Sequence, residues 1–274
     1  MLRLKNIFKT FNKGSINEQK VFENFSMDIG DDDFICVLGS NGAGKSTLLN
    51  IISGKIPLDE GNLILNGIDV TEDTEHEKCR KISRIFQDPS LGTNPSMTIY
   101  ENLSMAKNKG NKFGLSFLVD KKDEEYFKGL LEVLRLGLED KLHTPVSQLS
   151  GGQRQSLALI MAVLGEPELL LLDEHTAALD PKTSEIVMEI TDKIVKEKGL
   201  TTIMVTHNID HALRYGNRLI MLHRGNKIID ISGGTKNSLT KGELLCLFKD
   251  ISDKTLFSYR LKNRLGLLNI FRSP

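Results

Sequence analysis

Apolar and polar residues alternate in short runs along the first third of the chain. LRLKNIF, VFENFSMDI and FICVLG mix apolar with β-forming residues, and turn-rich breaks such as NKGS and GDDD separate them, so each predicts a strand. NLILNGIDV holds Asn66-Gly67 between apolar pairs, which predicts a hairpin. From about Ile99 the period lengthens. Phe127, Leu130, Leu131, Leu134 and Leu138 recur at the spacing of one amphipathic helix. QRQSLALIMAVL predicts a second helix, apolar on most sides and therefore buried. After Glu166-Pro167, LLLLDE and TTIMVTH are solid apolar runs ending in polar residues, the habit of parallel strands covered on both faces. Between them Asp180-Pro181 opens a helix that becomes rich in Lys and closes at Gly199. Strand, helix and strand in that order form a βαβ unit. RLIMLH and KIIDIS flank Arg224-Gly225-Asn226 as a late hairpin. The sequence has no internal repeat and no low-complexity segment.

Composition narrows the picture. A chain of 274 residues buries roughly three quarters of its unfolded surface and needs no disulfide or metal staple. Its 36 Lys+Arg balance 36 Asp+Glu, which argues against a dedicated nucleic-acid binder and its basic excess. The longest apolar stretch, 157–164, falls far short of the roughly 20 residues that cross a bilayer. MLRLKNIFKTF carries no sustained apolar segment, so no export signal is expected and the chain reads as cytosolic. Cys36, Cys79 and Cys246 are odd in number and widely spaced, as in a reduced protein. His76 and Cys79 have a possible metal spacing, but no second pair follows to complete four ligands.

Gly39-Ser40-Asn41-Gly42-Ala43-Gly44-Lys45-Ser46-Thr47 fits G-x-x-x-x-G-K-[ST] between an apolar strand and an apolar helix, the context this motif requires. The glycines let successive N–H groups face one anion, and the helix that follows adds its positive end. Lys45 is placed to reach the β- and γ-phosphates of a nucleoside triphosphate, and the Ser46 hydroxyl to ligate Mg²⁺. Asp173-Glu174 closes the LLLL run at the end of a strand. Asp173 suits Mg²⁺ held through water, and Glu174 suits a base; alone, the two acids could equally end a strand and cap a turn. Leu149-Ser150-Gly151-Gly152-Gln153 reads both as a helix cap and as an anion-attracting helix end, and the readings are compatible.

The loop 39–47, Gln87, LSGGQ, LLLLDE, Ala178-Leu179-Asp180 and His207, taken in that order, resemble the nucleotide-binding domain of an ABC ATPase. The resemblance covers nearly the whole chain to about residue 230. It implies an α/β fold, a P-loop NTPase (RecA-like) core with an antiparallel β subdomain and an inserted helical subdomain. Core and β subdomain would take 1–87 and 166–248, the helical subdomain 88–165, and a tail 249–274. Two copies would associate head to tail around two ATP molecules with Mg²⁺, each P-loop facing Ser150, Gly151, Gly152 and Gln153 of the other copy. Glu174 would be the general base, His207 would hold the γ-phosphate, and Gln87 would sense Mg²⁺ and the attacking water. The metal set would be Ser46, Gln87 and Asp173. Phe11 would stack on adenine, with a buried core ring as the plain alternative, and Asp180 would sit at the dimer seam while capping its helix.

One departure stands out. Most members carry Pro after the catalytic Glu, where this chain has His175, either a turn filler or a group that titrates beside the γ-phosphate. The resemblance further implies the ATP-hydrolysing energy-coupling subunit of a transporter on the cytoplasmic face of the membrane. An integral-membrane permease would dock on Asp88 to Tyr100 through Leu91, Met97, Ile99 and Tyr100, with an extracytoplasmic solute-binding protein in the same system. Import is favoured over export, with an amino acid, an aromatic one among them, as solute. A soluble ABC ATPase of the iron–sulfur assembly kind is the alternative. Tail residues Lys254, Arg260, Lys262, Arg264 and Arg272 would meet anionic lipid or permease, or form a solvated helix face.

Overall fold

The structure, a computed structural model, describes residues 1–109 and 121–250. The five tail cations named above lie outside the described residues, as does the stretch 110–120 of the expected helical subdomain.

Two sheets organise the chain. Strands β1 (Leu2–Phe11), β2 (Gln19–Ile29), β4 (Glu60–Leu65) and β5 (Ile68–Asp69) form an antiparallel sheet in the order β2-β1-β4-β5. Strands β3 (Phe34–Gly39), β6 (Ile82–Ile85), β7 (Leu169–Asp173), β8 (Thr201–Val205), β9 (Arg218–His223) and β10 (Asn226–Ser232) form the second, in the order β10-β9-β3-β8-β7-β6. Only β10 runs antiparallel there, hairpinned to β9. The helices are α1 (Lys45–Ile52), α2 (Glu75–Lys78), α3 (Ile99–Lys107), α4 (Glu124–Glu132), α5 (Gly151–Leu164), α6 (Pro181–Lys198), α7 (Ile209–Arg214), α8 (Gly233–Asn237) and α9 (Lys241–Asp250). No described helix is long and apolar enough to cross a membrane.

The larger sheet divides the core in two, and the period-2 geometry of its strands decides which side chain goes where. On β3, Ile35 and Val37 face α1 and the antiparallel sheet, while Cys36 and Leu38 face the helices α3 to α6. β7 splits the same way, Leu169 and Leu171 against Leu170 and Leu172. Strands buried on both faces have no polar alternation to show, which is why they read as solid apolar runs. Between β6 and β7 the named elements are all helices, and apolar side chains from this segment join the cluster on the helical face.

The antiparallel sheet keeps its pattern only by slipping phase. Leu2 and Leu4 are buried alternately, and then Ile7; on β2, Phe22 is followed by Phe25, Met27 and Ile29. Asn6 (φ 47°) and Asn24 (φ 58°) take left-handed conformations at these slips, the geometry of β-bulges that return the next side chain to the core. Gly61 passes so close to the first bulge that a Cβ there would stand 2.4 Å from Asn6 O. Asn66 (φ 50°) and Gly67 (φ 79°) turn the β4–β5 hairpin as expected.

One expected helix is shorter than its pattern. The stripe from Phe127 to Leu138 spans two conformations: α4 ends at Glu132, and Arg135 (φ 53°) and Gly137 (φ 66°) reverse the chain. Leu134 and Leu138 are nevertheless buried, delivered to the core by the turn. The βαβ unit is as expected, with Asp180 capping α6, Pro181 opening it and Gly199 (φ 57°) closing it.

Candidate functional site

Four segments reach the carboxyl edge of the parallel strands, where open α/β sheets hold their ligands. The loop 39–47 leaves β3, Gln87 follows β6, Asp173 ends β7 with Glu174 directly after it, and His207 follows β8. Register brings them level: Val37 and Asp173 both pair with Val205, and Ile85 pairs with Leu172.

The loop is shaped by its glycines. A Cβ on Gly39 would stand 2.4 Å from Leu222 O, so only glycine lets β3 pass β9 there. Gly42 (φ 76°) and Gly44 (φ 102°) supply left-handed bends that no other residue adopts cheaply. α1 then starts with no side-chain cap and no acid in its first turn. Its free N–H groups and dipole are left for an anion. Lys45 is only 6% exposed, and its Nζ donates to Gly39 O at 2.8 Å and Ser40 O at 3.1 Å. Burial lowers its pKa below the usual lysine value, while Glu174 and Asp173 act against that shift. Ser40, Asn41, Gly42 and Ser46 are exposed, and Thr47 is half-buried.

The two acids differ. Glu174 (φ 49°) turns the chain sharply after β7, its N–H donating to Val205 O at 3.0 Å. Its Oε1 stands 2.7 Å from Nε2 of half-exposed His207. Asp173 instead faces a guanidinium: Arg84 on β6 donates from Nη2 to Asp173 Oδ2. Sequence reasoning missed Arg84. The available signal was a cation between Ile82 and Ile85 in a four-residue strand, a position that demands an acid nearby. Gln87 is exposed and makes no hydrogen bond to the loop, to either acid or to His207.

The N-terminus of α5 is closed on itself. Ser150 Oγ accepts from Gln153 N at 3.3 Å and Gln153 Oε1 accepts from Ser150 N at 3.2 Å, a capping box. Gln153 Nε2 donates onward to Leu136 O at 3.2 Å. Gly152 is buried so tightly that a Cβ would stand 2.2 Å from Thr183 Cγ2 on α6. Ser150 and Gly151 are exposed. No hydrogen bond joins this helix end to the loop 39–47 among the described residues. Asp180 caps α6 by accepting from Thr183 N at 3.1 Å.

Phe11 is half-buried at the end of β1, with Lys9 Nζ 5.6 Å from its ring centroid, while Phe22 is the core ring of this region. His175 is a buried group: it is 2% exposed, and burial, aided by His211, pushes its pKa down to about 3. Thr191 Oγ1 gives its proton to Val187 O at 2.7 Å, so His175 Nε2 donates to it at 3.3 Å. Titration near neutral pH is thereby removed. In the expected docking segment, Leu91 is 67% exposed, but Ile99 and Tyr100 belong to the core and offer nothing to a partner.

The sequence profile described as ABC transporter matches residues 22–177. The chain belongs to the ABC transporter family. The tyrosine transport ATP-binding protein of Clostridioides difficile (strain R20291) is 52% identical over 249 residues, covering 91% of this chain and 99% of that protein. The spermidine/putrescine import ATP-binding protein PotA of Mannheimia succiniciproducens is 34% identical over 255 residues, 92% of this chain and 64% of its own length. A dimeric post-hydrolysis structure of the ATP-binding cassette MJ0796 with ADP and Pi superposes with a TM-score of 0.71 at 30% identity, covering 85% of this chain and 98% of that one. The fold is therefore that of an ABC ATPase cassette, a P-loop NTPase. This ABC protein is the ATP-hydrolysing, energy-coupling subunit of a transporter of the import kind, and the soluble iron–sulfur alternative is not favoured.

Proposed function

We propose that this subunit drives uptake of tyrosine or a related aromatic amino acid, hydrolysing ATP held between two copies of itself. The observation that carries the hydrolytic reading is the Glu174–His207 pair at 2.7 Å, set beside a loop whose helix start lacks any internal cap. Phosphates enter the curl of 39–47, where Lys45 and the N–H groups at the start of α1 meet their charge. Phe11 stacks on the base. Glu174 takes a proton from the attacking water, and His207 holds both the Glu174 carboxylate and the γ-phosphate in line. Ser150, Gly151, Gly152 and Gln153 of the second copy close the site from the other side. The capping box there uses the Gln153 and Ser150 N–H groups, which leaves the N–H groups between them to an anion, and this helix start has no bond to its own loop.

The Ser46 hydroxyl, Gln87 amide oxygen and Asp173 carboxylate are hard oxygen donors, the set that Mg²⁺ favours. Held by these residues, Mg²⁺ would offset the negative charge of the nucleotide's phosphates. The division into core and β subdomain (1–87, 166–248) and helical subdomain (88–165) belongs to the same reading. So does a permease docked near Leu91 at the cytoplasmic membrane face, with an extracytoplasmic solute-binding protein beyond it. The solute class rests on the 52% identity to the tyrosine transport relative.

Uptake of radiolabelled tyrosine in cells lacking this chain tests the solute. Tyrosine uptake is expected to fall and return with the wild-type chain but not with Glu174→Gln. Unchanged tyrosine uptake, with loss confined to another solute, overturns the assignment and leaves the ATPase intact.

A further inference from the structure

Arg84 has no place in the motifs that name this family, yet it joins three parts of the site. Its strand neighbour in register is Leu171 on β7, so the same sheet face carries Asp173 two residues further on. Arg84 Nη2 donates to Asp173 Oδ2, and Nη1 donates to Asn50 Oδ1 on α1 at 2.7 Å. The guanidinium carbon lies 4.9 Å from the centroid of the Phe86 ring. The fork is thus held from three sides, and its side chain is 10% exposed. Asp173 Oδ1 accepts no hydrogen bond from the described residues.

A guanidinium stays charged at every physiological pH and fixes the directions of its N–H groups in one plane, so that one arm holds Asp173 while the other holds Asn50. Metal-site carboxylates depend on such outer partners for their orientation. We propose that Arg84 is a positioning residue for the metal site: it holds Asp173 by Oδ2 and leaves Oδ1 to a water of the nucleotide-bound cation. Asn50 fixes the other arm of the fork, which ties this orientation to the helix that begins at the phosphate loop. The proposal rests on the reading of Asp173 as the carboxylate that holds metal.

The test is Mn²⁺ binding, followed by electron paramagnetic resonance, to the full chain saturated with a non-hydrolysable ATP analogue. Binding of the analogue in EDTA is measured in parallel on the same samples. Arg84→Ala is expected to weaken Mn²⁺ by about 10- to 100-fold, with binding in EDTA unchanged. Arg84→Lys, a single point charge without the fork, is expected to recover part of the loss. Should Arg84→Ala fail to fold, Arg84→Lys against wild type decides: weaker Mn²⁺ with unchanged binding in EDTA supports the role, and equality overturns it. Unchanged or tighter Mn²⁺ in Arg84→Ala overturns it, as does an equal loss with and without metal, which marks a merely structural ion pair. Asp173→Asn separates the two levels. If Asp173→Asn abolishes Mn²⁺ binding while Arg84→Ala does not, only the positioning role falls; if Asp173→Asn binds Mn²⁺ normally, both fall.

Discussion

The carboxyl edge of the six-stranded sheet and the N-terminus of α5 both present glycine, serine and a polar side chain, but they stand in opposite states. At the edge, α1 starts uncapped, Lys45 is folded onto its own loop, and Glu174 holds a left-handed turn. At α5 the cap is made, Gln153 is engaged at both ends of its amide, and Gly152 is packed against Thr183. The first region keeps the polar groups of its helix start unused by any side chain of its own. The second spends most of its capacity internally and offers an exposed serine and glycine. A shared residue vocabulary therefore does not imply a shared job, and the difference predicts that damage to the edge is chemical while damage to α5 is first structural.

The sharpest test of that contrast is Glu174→Gln. The amide can still accept from His207 but cannot take a proton, so turnover is expected to fall 10²- to 10⁴-fold with nucleotide affinity retained. Phosphate release and equilibrium nucleotide binding, measured on the same preparation, read the two effects. Turnover above a tenth of wild type removes Glu174 from the role of base.

Gly152→Ala attacks the other region. Alanine's intrinsic helix preference gains at most about 1 kcal/mol over glycine, whereas overpacking costs about 1–3 kcal/mol. With a Cβ 2.2 Å from Thr183 Cγ2, overpacking wins and the melting temperature drops. Thr183→Ser removes the offending methyl, so the double variant is expected to recover most of the loss. A Gly152→Ala chain as stable as wild type means that the α5 end is looser than its packing implies, and the contrast weakens.

How much of this was legible depended on the range of the forces involved. The glycine loop, the Asn66-Gly67 turn and the Asp180-Pro181 start of α6 are dictated by backbone geometry within a few residues, and they stand as expected. The end of α4 does not follow from its stripe, because Arg135 and Gly137 turn the chain while Leu134 and Leu138 still reach the core. The bulges at Asn6 and Asn24 show only as a break in alternation. The Arg84–Asp173 pair and the Gly152–Thr183 contact join residues from separate elements; a cation inside a short apolar strand signals that an acid is near, but no local pattern names the partner in either contact. Ile99 and Tyr100 lie in the core although the sequence suggests a docking surface, because apolar residues among polar ones look alike whether they face a partner or the core.

Acid sensitivity sharpens the comparison from within the edge itself. His175 follows Glu174 directly, yet its folded pKa of about 3 lies below the roughly 6.5 of a free imidazole. The depressed value means that the fold favours the neutral ring. Its contribution is complete above about pH 6.5 and is lost as pH falls toward 3, because only the unfolded chain takes up the proton. Between pH 7 and pH 5 this amounts to about 2 kcal/mol of lost stability. Denaturant melts of His175→Gln at both pH values are expected to show a pH dependence smaller by that amount. An unchanged dependence means that the acid-labile group lies elsewhere.

Ser150→Ala is the mildest of these changes and discriminates most finely between the regions. Loss of an N-cap costs about 1 kcal/mol, so thermal stability falls slightly. The isolated chain is expected to bind nucleotide as wild type does, since no bond joins α5 to its own loop. Turnover, which needs the second copy, is expected to fall further than the small stability loss explains. Nucleotide binding by chains kept dilute and monomeric, set against turnover at dimerising concentrations, separates the two effects. If nucleotide affinity of the monomer drops together with turnover, Ser150 serves its own loop, and the α5 end belongs with the edge rather than opposite it.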